Sequence, residues 1–92
     1  MTAVVNKKSG EAFDVFIGRP SKWGNPFLIG RDGSRATVIQ KYERWLRQQP
    51  ELMACLPELK GKTLGCFCKP APCHGDVLAR LLTEQEMADL LE

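Results

Sequence analysis

Two stretches of this 92-residue chain carry side chains able to do chemistry. The first is Gly18–Phe27, with Arg19, Lys22, Trp23 and Asn25. Arg19 offers a fork of donors that matches a phosphate or carboxylate. Lys22 adds a second positive charge. Trp23 presents a ring on which a base can stack. Asn25 can read a polar edge through its amide. Gly18, at a strand end, lets a ligand or a turn come close to the backbone.

The second stretch, Cys66–Asp76, admits three chemistries. Cys66, Cys68, Cys73 and His74 are the Cys3His ligand set of a structural zinc site. Geometry argues against one metal, because Cys73 and His74 are adjacent at a helix start and their side chains diverge by roughly 100°. In the second reading Cys73 is a nucleophile, its thiol pKa lowered by the helix N-terminus, with His74 or Asp76 as acid or base. A variant makes Asp76 the base or nucleophile in cleaving an N-glycosyl bond. In the third, the amides of Cys73, His74 and Gly75 receive an anion. Lys69 adds charge there, and Asp76 accepts from a ribose hydroxyl. Every group also has a structural use. Trp23 can plug the core, Cys73 can be an N-cap, Cys66 and Cys55 can be small buried hydrophobes, and His74, the only histidine, can be a satisfied core residue.

The elements that position these groups follow from pattern. Ala3–Asn6 and Phe13–Ile17 read as strands, with a turn at Lys7–Gly10 between them. Ser21–Arg31 is a loop marked by Gly24, Pro26 and Gly30. Ser34 caps a helix whose apolar face is Val38, Tyr42, Trp45 and Leu46. Pro50 ends it and opens a short helix, Glu51–Cys55. Thr63–Phe67 is the third strand and Cys68–Pro72 a tight loop. A helix from Cys73 to Leu82 buries Val77, Leu78 and Leu81. Thr83 with Glu86 reads as a capping box for a last helix that buries Met87, Leu90 and Leu91. The expected fold is α/β: a sheet of about three strands with a βαβ crossover, flanked by three to four helices, in one domain. Right-handed βαβ units bind ligands beyond the carboxyl ends of their strands. Both chemical stretches leave such ends.

Composition narrows the function classes. Hydrophobic content of 43% and charged content of 26% suit a globular domain. No apolar run approaches the roughly 20 residues of a membrane span, and the N-terminus has no signal-peptide pattern. A cytoplasmic protein with reduced cysteines is expected. Residues 1–80 hold all 13 basic residues but 7 of the 11 acidic ones, a balance of +6. That suits an anionic ligand but is too weak and scattered to expect a nucleic-acid partner. Small size makes homo-oligomerisation a further expectation.

The segments Asp14-Val15-Phe16-Ile17-Gly18-Arg19-Pro20, Lys22-Trp23-Gly24-Asn25-Pro26-Phe27, Gly65-Cys66-Phe67-Cys68 and Pro72-Cys73-His74-Gly75-Asp76 resemble domain of unknown function 4326, a family of bacteria and their phages. The likeness extends through Tyr42-Glu43-Arg44-Trp45-Leu46 and Leu56-Pro57-Glu58-Leu59-Lys60-Gly61-Lys62. The Cys-x-Cys then Cys-His arrangement also looks like that of domain of unknown function 488. The resemblance implies little chemistry.

The leading expectation is therefore a binding domain for a nucleotide-derived, phosphate-bearing small molecule. The residues are Gly18, Arg19, Lys22, Trp23, Asn25, Lys69, His74, Gly75 and Asp76. Sequestering a host defence signal, a counter-defence use in phage, is the context the resemblance implies. Next comes an enzyme acting on a glycosidic or phosphate bond of a nucleoside or nucleotide. Third is a structural or interaction module, with zinc as its one candidate cofactor.

Overall fold

The computed structural model describes residues 2–67, 69 and 71–91. Three strands, β1 (Ala3–Asn6), β2 (Val15–Phe16) and β3 (Thr63–Cys66), form one sheet in the order β1-β3-β2. All pairings are parallel, Ala3 opposite Thr63 on one side and Val15 opposite Leu64 on the other. The central strand is buried at Leu64, Gly65 and Cys66, as a strand covered on both faces must be. β2 is shorter than the expected Phe13–Ile17. Its flanks still pair: Asp14 N donates to the Thr63 carbonyl at 2.8 Å and Ile17 N to the Gly65 carbonyl at 2.9 Å. β3 stops at Cys66, one residue before the expected end.

The helices are α1 (Arg35–Arg47), α2 (Pro50–Cys55) and α3 (His74–Leu90), with 3-10 turns at Lys7–Ser9 and Leu56–Leu59. Ser34 caps α1 through its hydroxyl, which accepts from Thr37 N, and Pro50 stands in the first turn of α2. The expected break at Thr83 does not occur: α3 is continuous. Thr83 Oγ1 donates back to the Ala79 carbonyl at 3.1 Å instead of capping a new helix. The end of α3 also lies outside the core. Met87, Leu90 and Leu91 are 59%, 84% and 87% exposed, which corrects the expectation that they are buried. The apolar face that α3 packs inward is Val77, Leu78, Leu81 and Leu82.

Trp23, Tyr42, Leu46, Leu56, Leu59, Leu64, Leu78 and Leu82 form the centre of the core. The Tyr42 hydroxyl donates to the Trp23 carbonyl at 2.8 Å, so the loop after β2 is fastened to α1 from inside. The start of α3 lies against the sheet. A Cβ at Gly75 would stand 2.8 Å from both Ile17 Cδ1 and Val4 Cγ1, so this approach requires glycine. On the surface, Glu43 of α1 bonds Arg80 of α3 and Arg47 at 2.9 Å. Arg80, then Arg47, holds its carboxyl below the usual range.

These placements separate two kinds of apolar residue. Trp23→Ala should lower the unfolding free energy by about 3–5 kcal/mol, while Leu90→Ser or Leu91→Ser should change it by no more than about 0.5 kcal/mol. Urea titration followed by circular dichroism checks both, and comparable losses would mean that the end of α3 belongs to the core.

Candidate functional site

The loops after β2 and β3 do meet. Between them and α1 lies a cleft of about 720 Å³. Gly18, Arg19 and Asn25 line it from the first loop, and Phe67, Pro72, Cys73 and His74 from the second. Arg35, Val38 and Ile39 of α1 close one wall, and Phe27, Leu28 and Ile29 extend it. That last segment is held by Asp32, whose carboxylate accepts from Leu28 N at 2.7 Å and from Arg31.

His74 joins the two loops. Its Nε2 lies 2.7 Å from the Ile17 carbonyl. A carbonyl only accepts, so Nε2 carries the hydrogen and Nδ1 is the acceptor nitrogen. The Tyr42 ring stands edge-on to the imidazole at 5.0 Å. Burial pushes the imidazole pKa below its ordinary value and Arg19 adds to this, while the Ile17 bond and Asp76 oppose it. His74 is therefore neutral at physiological pH.

Arg19 is exposed and makes no hydrogen bond or ion pair with any described residue. Gly24 lies under it: a Cβ there would stand 2.9 Å from Arg19 Cγ. Arg35 donates one bond, to the Pro72 carbonyl at 3.2 Å. The cleft thus sets two guanidiniums and a neutral imidazole beside an apolar wall. Arg35 was missed in the sequence, where a charged first helical residue looks like ordinary solvated surface.

Other expected site residues have different duties. Trp23 is 2% exposed and belongs to the core, so it is not a stacking platform. Lys22 pairs with Glu58 at 2.8 Å, beside a shallow hollow lined by Gln49, Pro50 and Cys55. Asn25 borders the cleft, but its amide donates to the Val38 carbonyl and accepts from Phe27 N. Gly18 makes room for the chain's own Phe16 ring, which a Cβ would meet at 2.5 Å.

The start of α3 is self-capped. Asp76 Oδ2 accepts from Cys73 N at 3.0 Å, and Cys73 Sγ accepts from Gly75 N at 3.2 Å. This capping box engages the Cys73 and Gly75 amides that the anion reading assigned to a ligand. Asp76 Oδ1 also binds Lys69 at 2.5 Å, and that carboxylate holds the Lys69 pKa above its ordinary value. Lys69, Gly75 and Asp76 are thus engaged with one another or with Cys73 rather than lining the cleft. Of the catalytic candidates, Cys73 and Asp76 serve as caps, and His74 Nδ1 has no hydrogen-bond partner among the described residues.

The zinc set is not assembled among the described residues. Cys66 and Cys73 bring their sulfurs to 3.5 Å, His74 Nε2 is bonded to Ile17, and the described residues, without Cys68, contain no group of three metal-binding side chains. Cys68 lies outside the described residues. No described helix is long and apolar enough to cross a membrane.

Fold and cleft together define a small α/β domain with a cationic cleft at the carboxyl ends of a parallel sheet. The chain belongs to the family described as domain of unknown function (DUF4326), whose model matches residues 4–84. It is 42% identical to the "Uncharacterized 12.4 kDa protein in nrdA-td intergenic region" of Enterobacteria phage T4, over 86% of this chain and 75% of that protein. It is 40% identical to "Uncharacterized protein R718" of Acanthamoeba polyphaga mimivirus, over 74% of this chain and 65% of that protein. No solved structure matches it.

The lowered pKa of His74 gives a direct test. The folded imidazole protonates at lower pH than the unfolded one, whose value is near 6.5. Its contribution to stability is complete above that value and is lost as pH falls through the folded pKa. Denaturant titrations between pH 7.5 and 5 should show stability falling with acidification, and His74→Gln should flatten that slope. An unchanged slope in the variant would show that the imidazole titrates alike in both states.

Proposed function

We propose that the cleft binds a nucleotide-derived, phosphate-bearing small molecule. One observation carries the reading: Arg19, charged and without a partner among the described residues, stands with Arg35 and His74 on a cleft whose remaining wall is apolar. Arginine forks suit phosphate oxygens. Phe27, Leu28, Ile29, Val38 and Ile39 suit the faces of a planar ring. His74 Nδ1 suits a hydroxyl or amino donor. The volume falls within the range of about 300–1,000 Å³ common to small-molecule sites.

Binding without turnover is favoured over catalysis because Cys73 and Asp76 are engaged as helix caps. What remains in the cleft is suited to holding a ligand. Relatives in a phage and a giant virus fit a use in which the protein sequesters a host signal. The sequestering protein would then act in proportion to its amount.

Thermal shift with a panel of mono-, di- and cyclic nucleotides and ADP-ribose compounds tests this. A true ligand at 100 times its Kd should stabilise the protein by about 2.7 kcal/mol. Arg19→Ala should leave the unliganded midpoint unchanged and weaken binding roughly 10- to 100-fold, the loss expected for a charge-assisted hydrogen bond. A panel without any stabilising member, or undiminished binding by Arg19→Ala, overturns the reading. Mass spectrometry of the recovered ligand separates binding from turnover: an altered mass means an enzyme.

A further inference from the structure

Phe67 is 51% exposed although it directly follows the buried central strand. Its ring is set edge-on to Phe16, with centroids 5.5 Å apart. It lines the cleft, and two further cations stand beside it. Lys7 Nζ lies 5.7 Å and Lys8 Nζ 5.8 Å from its centroid, and Lys7 also lies over Phe16 at 4.9 Å. Neither lysine forms an ion pair with a described residue.

Asn6 brings these groups together. Its Oδ1 accepts from Lys8 N at 2.8 Å, which starts the 3-10 turn carrying both lysines. Its Nδ2 donates to the Lys69 carbonyl at 2.6 Å and lies 3.4 Å from the Phe67 carbonyl. One side chain thus fastens the basic turn after β1 to the loop after β3. The result is an exposed aromatic ring with Arg19 and Arg35 inside the cleft and Lys7 and Lys8 outside it.

We infer that the Phe67 rim is a second subsite, and that the ligand class is a dinucleotide. One unit occupies the cleft with its phosphate at Arg19 and Arg35. The other stacks its base on Phe67 and sets a phosphate against Lys7 and Lys8. The inference rests on reading the cleft as a nucleotide site. It extends that reading because a single nucleotide held in the cleft leaves the outer lysines without an anion. Exposed aromatics with adjacent cations hold bases in a sequence-tolerant way. A two-unit ligand is favoured over a longer strand because the outer cations are confined to one turn.

Isothermal titration with the four 5′-mononucleotides and their linear and cyclic homodinucleotides tests this. At least one dinucleotide should bind about tenfold or more tightly than its mononucleotide, the ratio that one stacked base supplies. Lys7→Ala with Lys8→Ala should bring that dinucleotide down to the mononucleotide's affinity and leave mononucleotide binding within about twofold, and Phe67→Leu should remove the dinucleotide's advantage. Phe67→Tyr should retain the difference, which distinguishes lost stacking from a disturbed fold. Equal binding of both ligand types by the wild type overturns the subsite and leaves the cleft standing. Parallel loss of both ligand types in the Lys7→Ala, Lys8→Ala variant also overturns it, because those lysines then belong to the inner site. Tighter binding of a 12-nucleotide strand than of any dinucleotide overturns the ligand class. Failure of every probe overturns the cleft reading itself.

Discussion

The hydrogen bond from His74 Nε2 to the Ile17 carbonyl is the joint on which the rest of this molecule depends. It links the residue that follows β2 to the first residue of α3, 57 positions apart in the chain. Parallel strands supply the precondition: β2 and β3 end on the same side, so the loops that leave them begin as neighbours. The bond then sets distance, tautomer and burial together. Burial keeps the imidazole neutral against the opposing pull of this bond, so no second positive charge stands there beside Arg19. The glycine two residues after Cys73 does the complementary work on the other side, because α3 could not lie this close to Ile17 and Val4 with a larger residue there.

Much of this was legible in the sequence, for physical reasons. The strands, the Ser34 cap, the proline at the start of α2 and the convergence of two loops follow from alternation, capping and parallel connection rules. Those rules act locally or constrain topology tightly. The misreadings arise where local signals compete with tertiary packing. Trp23 sits in a polar, glycine-rich loop, which suggests exposure, yet a domain of this size needs its largest side chain in the core. Thr83 and Glu86 match a capping pattern, but helix caps matter only where a helix ends, and the pairs Arg80–Glu43 and Glu84–Arg47 tie α3 to α1 on either side of that point. The Cys73-to-Asp76 capping box was the reverse case. Cys73 was readable as an N-cap, but its reciprocal pairing with Asp76 was not.

What pattern could not reach was the pairing of groups distant in the chain. Arg35, Phe67, Lys7 and Lys8 are unremarkable as single letters. They become a surface only once β1 and β2 flank β3 and Asn6 fastens its own turn to the loop that follows β3. Lys22 shows the opposite outcome. It lies three residues from Arg19, yet pairs with Glu58 and stands over the Trp23 ring at 5.4 Å. Neighbouring charges in a loop therefore say little about shared purpose until the direction of each side chain is known.

Exposed apolar area gives a final argument about where this domain meets other molecules. Among the described residues, the large exposed hydrophobics fall into two places: Ile29 and Phe67 at the cleft, and Met87, Leu90 and Leu91 at the end of α3. The second group lies at a helix end that also carries Glu84, Glu86 and Asp89. The first group borders a concavity and has beside it cations, Arg19, Lys7 and Lys8, that form no ion pair among the described residues. Apolar surface left in contact with water costs stability that a domain this small can hardly spare. A ligand covering Ile29 and Phe67 would recover part of that loss while neutralising Arg19. Affinity for such a ligand and folding stability would then be coupled at this cleft.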